Sequence, residues 1–194
     1  MPVSAPRLAR DIATIAIFGL AIGALVHLAT ILAIPYFASR DAFSRLAPLG
    51  TLNATILLDP AVPTNRLFPY ADPAVASAFC RFDLRDGPVR VTAQIARSGF
   101  ASLSLHSSTG GVFYALTDKA AVRGRLEALV LTAAQFRVVA ARDNEDEPSQ
   151  DLRIVAPSLE GFAMVRAFSE QPSLYPQAQA DARSLHCATQ SATK

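Results

Sequence analysis

The sequence predicts a mainly β domain, an antiparallel sandwich or a jelly-roll-like fold, with one N-terminal transmembrane helix before it and two short helices late in the chain. Three observations predict it. An uncharged apolar run lies near the N-terminus. About seven short segments, several of them alternating apolar and polar residues, follow at close spacing. The order of elements lacks the strand–helix alternation of a parallel nucleotide-binding sheet. Hydrophobic residues make up 51% of the 194 residues and charged residues 18%, and the apolar excess sits in that first run. The net charge of +2 is small and the Lys and Arg residues are scattered, which argues against nucleic-acid binding.

The anchor comes first. No charged residue occurs from Ile12 to Ser39, and the strongly apolar part is Ile12–Ile34. At 1.5 Å per residue these 23 residues exceed the roughly 30 Å hydrocarbon core. Pro35 marks the expected end, and Tyr36 and Phe37 fall where an interfacial belt would lie. The run is longer than a signal peptide's apolar region, and Ala38-Ser39-Arg40 is a poor cleavage match. It has no polar face, unlike a helix packed on a soluble core. His27 is its one titratable residue, read as neutral and tolerated, and Gly19 and Gly23 form a weak Gly-x-x-x-Gly pair. Arg7 and Arg10 precede the helix and Arg40 and Arg45 follow it, so flanking charge nearly ties. The free N-terminal amine tips the count toward a cytoplasmic N-terminus. The expected division is a cytoplasmic N-terminus over 1–11, the transmembrane helix over 12–34, a juxtamembrane linker over 35–71 and a β-rich domain over 72–194.

In the linker, Pro48, Pro60, Pro63 and Pro69 interrupt any long helix. Asp72-Pro73 opens a short helical turn that Asp72 can cap. Strands are expected over Phe79–Leu84, Val89–Ala96, Phe100–Ser107, Val112–Thr117 and Ala128–Leu131. Asp86-Gly87-Pro88, Ser98-Gly99 and Gly110-Gly111 turn the chain between them. Thr132 reads as the N-cap of a helix running to about Arg142, followed by the acidic loop Asp143–Pro148. Leu152–Ala156 and Phe162–Phe168 are two late strands. Ser173–His186 is the last helix, with Cys187 at its end.

The two cysteines, Cys80 and Cys187, are 107 residues apart, too far for a local redox or zinc motif. They fit one structural disulfide in an oxidising compartment, or two unrelated buried thiols; spacing alone does not choose. An outside location for the domain favours the bridge.

No nucleophile elbow, Walker loop or dinucleotide fingerprint is present, and no metal or cofactor is expected. His27, His106 and His186 are too separated for a metal site. His106 is the best titratable candidate: it shares a strand face with Ser102 and Ser104, and a hairpin would bring it near Tyr114. His106 and Tyr114 are therefore the weak catalytic candidates, against a solvated outer sheet face as the plain alternative. Arg81 and Asp83 share a strand face and are weak ligand-binding candidates, against a surface ion pair. The acidic run Asp143, Glu145, Asp146, Glu147 lacks the spacing of a calcium loop and reads as solvated.

Several runs carry a resemblance: Asp72-Pro73-Ala74, then Cys80-Arg81-Phe82-Asp83-Leu84 with Gly87-Pro88-Val89-Arg90, and Gly111-Val112-Phe113-Tyr114 with Thr117-Asp118. Pro148-Ser149-Gln150-Asp151-Leu152-Arg153-Ile154-Val155 and Gly161-Phe162 extend it. Together they resemble the short, membrane-anchored branch of the bacterial domain of unknown function 1254 family, over about half to two-thirds of the chain. The resemblance implies an inner-membrane protein with a jelly-roll-like domain in the periplasm. It also implies a partner, a membrane-anchored protein carrying the related domain of unknown function 1214. It supplies no catalytic residues. The leading expectation is a non-enzymatic envelope protein whose β domain binds a protein or envelope ligand beside the lipid bilayer. The alternative is an enzyme, alone or as half of a two-protein unit, acting on a lipid or cell-envelope precursor.

Overall fold

The computed structural model describes residues 5–37, 42–62, 71–96, 99–143 and 151–190. Pro63, Pro69, Ser98, Glu145, Asp146, Glu147 and the run 148–150 lie outside the described residues. The chain divides into two units, Met1–Arg40 and Asp41–Lys194.

The first unit is one helix, α1 (Ala5–Phe37). Within its stretch Ala9–Ile34 the most apolar 18-residue window has a mean hydropathy of 2.4 and none of it is buried, so the stretch is long and apolar enough to cross a membrane or to act as a signal sequence. The hydroxyls inside the run are satisfied within the helix: Thr14 donates to Arg10 O at 2.9 Å and Thr30 to Val26 O at 2.8 Å. The helix runs to Phe37, past the expected stop at Pro35. A proline in the last turn costs one hydrogen bond near the helix end and leaves the rest of the ladder whole.

The second unit is mainly β, with nine strands in two sheets among the described residues. Its elements are α2 (Ala42–Leu46), β1 (Ile56–Leu57), β2 (Val75–Asp83), β3 (Val89–Gln94), β4 (Ala101–Ser107), β5 (Val112–Thr117), β6 (Arg125–Leu131), α3 (Ala133–Ala140), β7 (Arg153–Val155), β8 (Glu160–Phe168), α4 (Tyr175–Arg183) and β9 (His186–Thr189). One sheet has the order β1-β2-β8-β4-β5 and the other β7-β6-β3-β9. Every neighbouring pair is antiparallel except β6 and β7, which run parallel because α3 returns the chain between them. Thr132 caps α3, as its sequence predicts, and the structure adds a capping box with Gln135.

Strand alternation builds the core. Ala78, Cys80 and Phe82 of β2, Leu103 and Leu105 of β4, and Ala163 and Val165 of β8 face inward and are buried. Val89, Val91, Leu126, Ala128 and Val130 of the second sheet join the same cluster. Ala178 and Ala182 of α4 belong to it too, and the small residues Ala76, Ala78 and Ala167 leave the helix room. Cys80 and Cys187 are bonded to each other, so a disulfide ties β2 of one sheet to β9 of the other through the core.

Two expectations change here. The last helix stops at Arg183 and Cys187 lies on β9, where Val91 is its partner across the sheet. Pairing with β3 outweighs the local helical pattern. Ser184 prepares the switch: its hydroxyl accepts from Gln94 N and donates to Gln94 O, both at 2.8 Å. Asp72-Pro73 makes a tight turn, in which Asp72 accepts from Ala74 N at 2.8 Å, and β2 starts at once instead of a helix.

Part of the segment expected as a linker is folded structure. α2 and β1 carry Leu46 and Ile56 onto Phe79, Phe162 and Met164, forming a second apolar cluster on the outer face of the larger sheet. Between them, Asn53 donates its backbone N–H to Arg81 O at 2.7 Å and its side-chain amide to Thr189 at 3.0 Å. The segment therefore binds both sheets.

On the outer face of the smaller sheet, Arg90 pairs with Glu127 and binds Asp151 through two bonds of 3.0 Å. These bonds, Asp151 first, hold the guanidinium well above its usual pKa. They also join two of the runs quoted above, one around Arg90 and one around Asp151.

Candidate functional site

The outer face of the larger sheet carries the polar residues that the sequence singles out. Register sets them in rungs. His106, Phe162 and Arg81 lie side by side on β4, β8 and β2; Ser104, Met164 and Phe79 form the next rung; Ser102, Arg166 and Ser77 the one after. α2 and the turn after it cover the first two rungs from outside.

His106 is 8% exposed and both ring nitrogens are engaged. Nδ1 lies 3.0 Å from Gly110 O, an acceptor only, so Nδ1 carries the proton. Nε2 lies 2.9 Å from the Ser104 hydroxyl. Burial pushes the imidazole below its usual pKa; the Gly110 carbonyl opposes this, and the positive Arg166 adds to it. The neutral ring then accepts from Ser104, whose hydroxyl also lies 3.3 Å from Met164 O. The face of the imidazole stacks on Phe162.

The turn after β4 is shaped around this ring. Gly110 has φ +94°, a left-handed conformation that glycine adopts without strain. A Cβ there would come within 3.0 Å of Ala42 Cβ. Phe43 N donates to Ser108 O at 3.0 Å, so α2 is fastened to the same turn.

Arg81 is 9% exposed. Its Nη2 donates to Gly50 O at 2.9 Å, and its guanidinium carbon sits 4.7 Å from the centre of the Phe43 ring. Its Nε is buried without a hydrogen-bond partner. Arg81 therefore clamps the covering segment. Asp83 lies on the same face but turns to Arg85, accepting from its backbone N–H at 2.9 Å and its guanidinium at 2.6 Å, and Arg85 also reaches Glu160 at 2.7 Å. The Arg81 and Asp83 side chains serve separate structural partners.

Tyr114 does not meet His106. A bulge between Leu105 and His106 sets Tyr114 opposite Leu105, and its side chain packs against the inner core. The two side chains point to opposite faces of the sheet. Sequence reasoning missed Phe43, Gly50 and Phe162 as their neighbours. For Phe162 a signal existed, because strand alternation puts it on one face with Met164 and Arg166. Phe43 and Gly50 had none, since α2 and its turn are placed by tertiary packing.

Chemically, the arrangement combines a neutral histidine that bonds a serine hydroxyl with a buried arginine that holds a carbonyl. Among the described residues no three His, Cys, Asp or Glu side chains gather as a metal site.

No family model matches the chain. No curated protein matches it. Solved structures do. The VPA0106 protein from Vibrio parahaemolyticus is similar with a TM-score of 0.50 and 13% identity, over 72% of this chain and 31% of that one. An uncharacterised protein from Burkholderia cenocepacia is similar with a TM-score of 0.45 and 14% identity, over 78% of this chain and 42% of that one. The chain thus spans about a third to two-fifths of the solved chains it matches. At 13% identity the likeness to the Vibrio parahaemolyticus protein concerns the fold alone.

Proposed function

We propose that this chain is a single-pass protein of the bacterial inner membrane, held uncleaved by α1, whose sandwich binds a protein partner in the periplasm. The observation that carries this reading is the edge strand β5. It lies at the end of the larger sheet, and among the described residues no strand pairs with its free side. Its six residues, Val112–Thr117, include no charge and no proline, and Val112 and Ala115 are exposed. Proteins normally blunt such an edge, so an open apolar one suits strand addition by another chain. The disulfide supports an oxidising compartment and hence the outward orientation of the domain. The partner that the resemblance implies is a membrane-anchored protein with a domain of unknown function 1214.

The test is mild-detergent extraction of the full-length chain from native membranes, with mass spectrometry of what co-purifies. A stoichiometric envelope protein is expected. The double substitution Val112→Lys, Ala115→Lys charges the edge and should release it while the thermal melt is retained. A chain that runs as a lone monomer from native membranes overturns the reading.

One observation favours a second reading, an acyl-transfer enzyme of the envelope. Ser104 and His106 are within hydrogen-bond reach, with Gly110 O orienting the imidazole. A fluorophosphonate probe that labels the wild type and spares Ser104→Ala would support it. Absence of labelling in the native membrane would remove it.

A further inference from the structure

A cavity of about 180 Å³ opens where β8 ends beside α4, lined among others by Phe100, Phe168, Leu174, Gln177, Glu170 and Asp181. None of its lining residues belongs to β5 or to the Ser104–His106 rungs. Asp181 is 7% exposed. Its carboxylate accepts from Ala96 N at 3.2 Å and from the Gln177 amide at 3.4 Å, both neutral donors. Among the described residues it forms no ion pair with any Lys, Arg or His. A buried carboxylate held only by two long neutral bonds retains unused acceptor capacity and lacks a compensating charge. Glu170 adds a second carboxylate at the same cavity and is itself exposed. The Gln177 amide is a third polar group in the lining, and the exposed side chains of Phe100, Phe168 and Leu174 supply the apolar part of the wall.

We propose that this cavity binds a small organic ammonium ion, with Asp181 as its counter-charge and the Phe100 and Phe168 rings against its alkyl groups. The chemistry of the walls selects this class. Two carboxylates repel anions. A neutral apolar ligand would leave Asp181 uncompensated. A bare divalent cation needs more oxygen ligands than the site presents and gains little from phenyl rings. An alkylammonium satisfies both halves, by charge pairing and by cation–π attraction. The volume falls below the roughly 300–1,000 Å³ of drug-sized pockets, which suits a headgroup-sized cation such as choline or ethanolamine. That ion can be free or the head of a phospholipid.

The test uses the full-length chain in a non-ionic maltoside detergent. Choline chloride and ethanolamine hydrochloride are titrated by saturation-transfer NMR at constant ionic strength, beside 3,3-dimethylbutan-1-ol, the uncharged analogue of choline. At least one amine is expected to bind saturably, and the uncharged analogue at least tenfold more weakly. Asp181→Asn keeps the side-chain shape and should weaken amine binding tenfold or more. Should that variant melt early, Phe168→Leu and Glu170→Gln provide the reading, each with a severalfold loss. Displacement of the amine by short-chain phosphatidylethanolamine, and not by short-chain phosphatidylglycerol, assigns the lipid as the source; no displacement assigns the free amine. Absence of saturable binding by both amines, equal binding of the uncharged analogue, or unchanged affinity in all three variants overturns the proposal.

Discussion

The imidazole of His106 lies flat on the ring of Phe162, with centroids 4.5 Å apart and planes 8° from parallel. The pair bridges β4 and β8 on the face that α2 covers. A ring that is buried, stacked and bonded at both nitrogens is fixed in one orientation. Its proton state therefore matters to folding as well as to any chemistry at Ser104.

A pH dependence follows. The folded pKa of His106 is lowered, chiefly by burial, so the unfolded chain binds that proton more readily. Stability from this group is complete above the unfolded value of about 6.5 and declines as pH falls from there toward the folded pKa. The wild-type thermal midpoint should drop between about pH 7 and pH 5. The His106→Gln variant should melt lower at neutral pH and show a flatter profile across that window. Parallel wild-type and variant profiles would remove His106 as the cause.

The disulfide should contribute more than any single hydrogen bond. Cys80 and Cys187 enclose a loop of 107 residues, for which the chain-entropy model gives about 4.7 kcal/mol. Loss of a native bridge from a small domain costs about 2–5 kcal/mol. Urea unfolding of the Cys80→Ala, Cys187→Ala double variant should show that loss, and reductant should destabilise the wild type alone. A maleimide should label neither cysteine in the folded, non-reduced protein, since both sulfurs are held in the bridge.

The strands were legible where alternation was clean. Val112–Thr117 has the bounds that its sequence predicts, and Val89, Val91 and Ala93 face the core together. Thr132 was legible because an N-cap residue is a local signal. β9 was not, because four residues after a helix become a strand only through β3. Nor was the covering role of Ala42–Leu46, whose burial depends on Phe79 and Phe162 far along the chain. Ser104 and His106 were legible as neighbours on one face. The bulge that turns Tyr114 inward leaves no mark in the residue pattern.

Arg81 should act as a fastener. Its bond to Gly50 O and its place over Phe43 hold the covering segment, while its Nε has no partner to lose. Arg81→Met keeps the length of the stem and removes both attachments. A loss of about 1–3 kcal/mol is expected. Hydrogen exchange should quicken first at Phe43 and Asn53, whose amides bond Ser108 O and Arg81 O. Uniform quickening across β3 and β6 would show instead that the whole sandwich depends on this residue.

Gly161 and Gly111 give a paired test of how tightly the His106 strand is packed. A Cβ on Gly161 would meet His106 O at 2.5 Å and Phe82 Cζ at 2.7 Å. One obstacle is backbone in the central pairing of β4 with β8, and the other is a ring buried in the core, so neither yields easily. A Cβ on Gly111 would meet only the Ser107 hydroxyl oxygen at 3.6 Å, ordinary contact. Gly161→Ala should therefore cost about 1–3 kcal/mol by overpacking, and Gly111→Ala close to nothing. The histidine should report the difference, because the strain enters through its own carbonyl. In Gly161→Ala the His106 ring resonances should move and its amide should lose exchange protection, while Gly111→Ala keeps both. Equal melting of the two variants would mean that β8 can shift away from β4, and the fixed orientation of His106 would then need another cause.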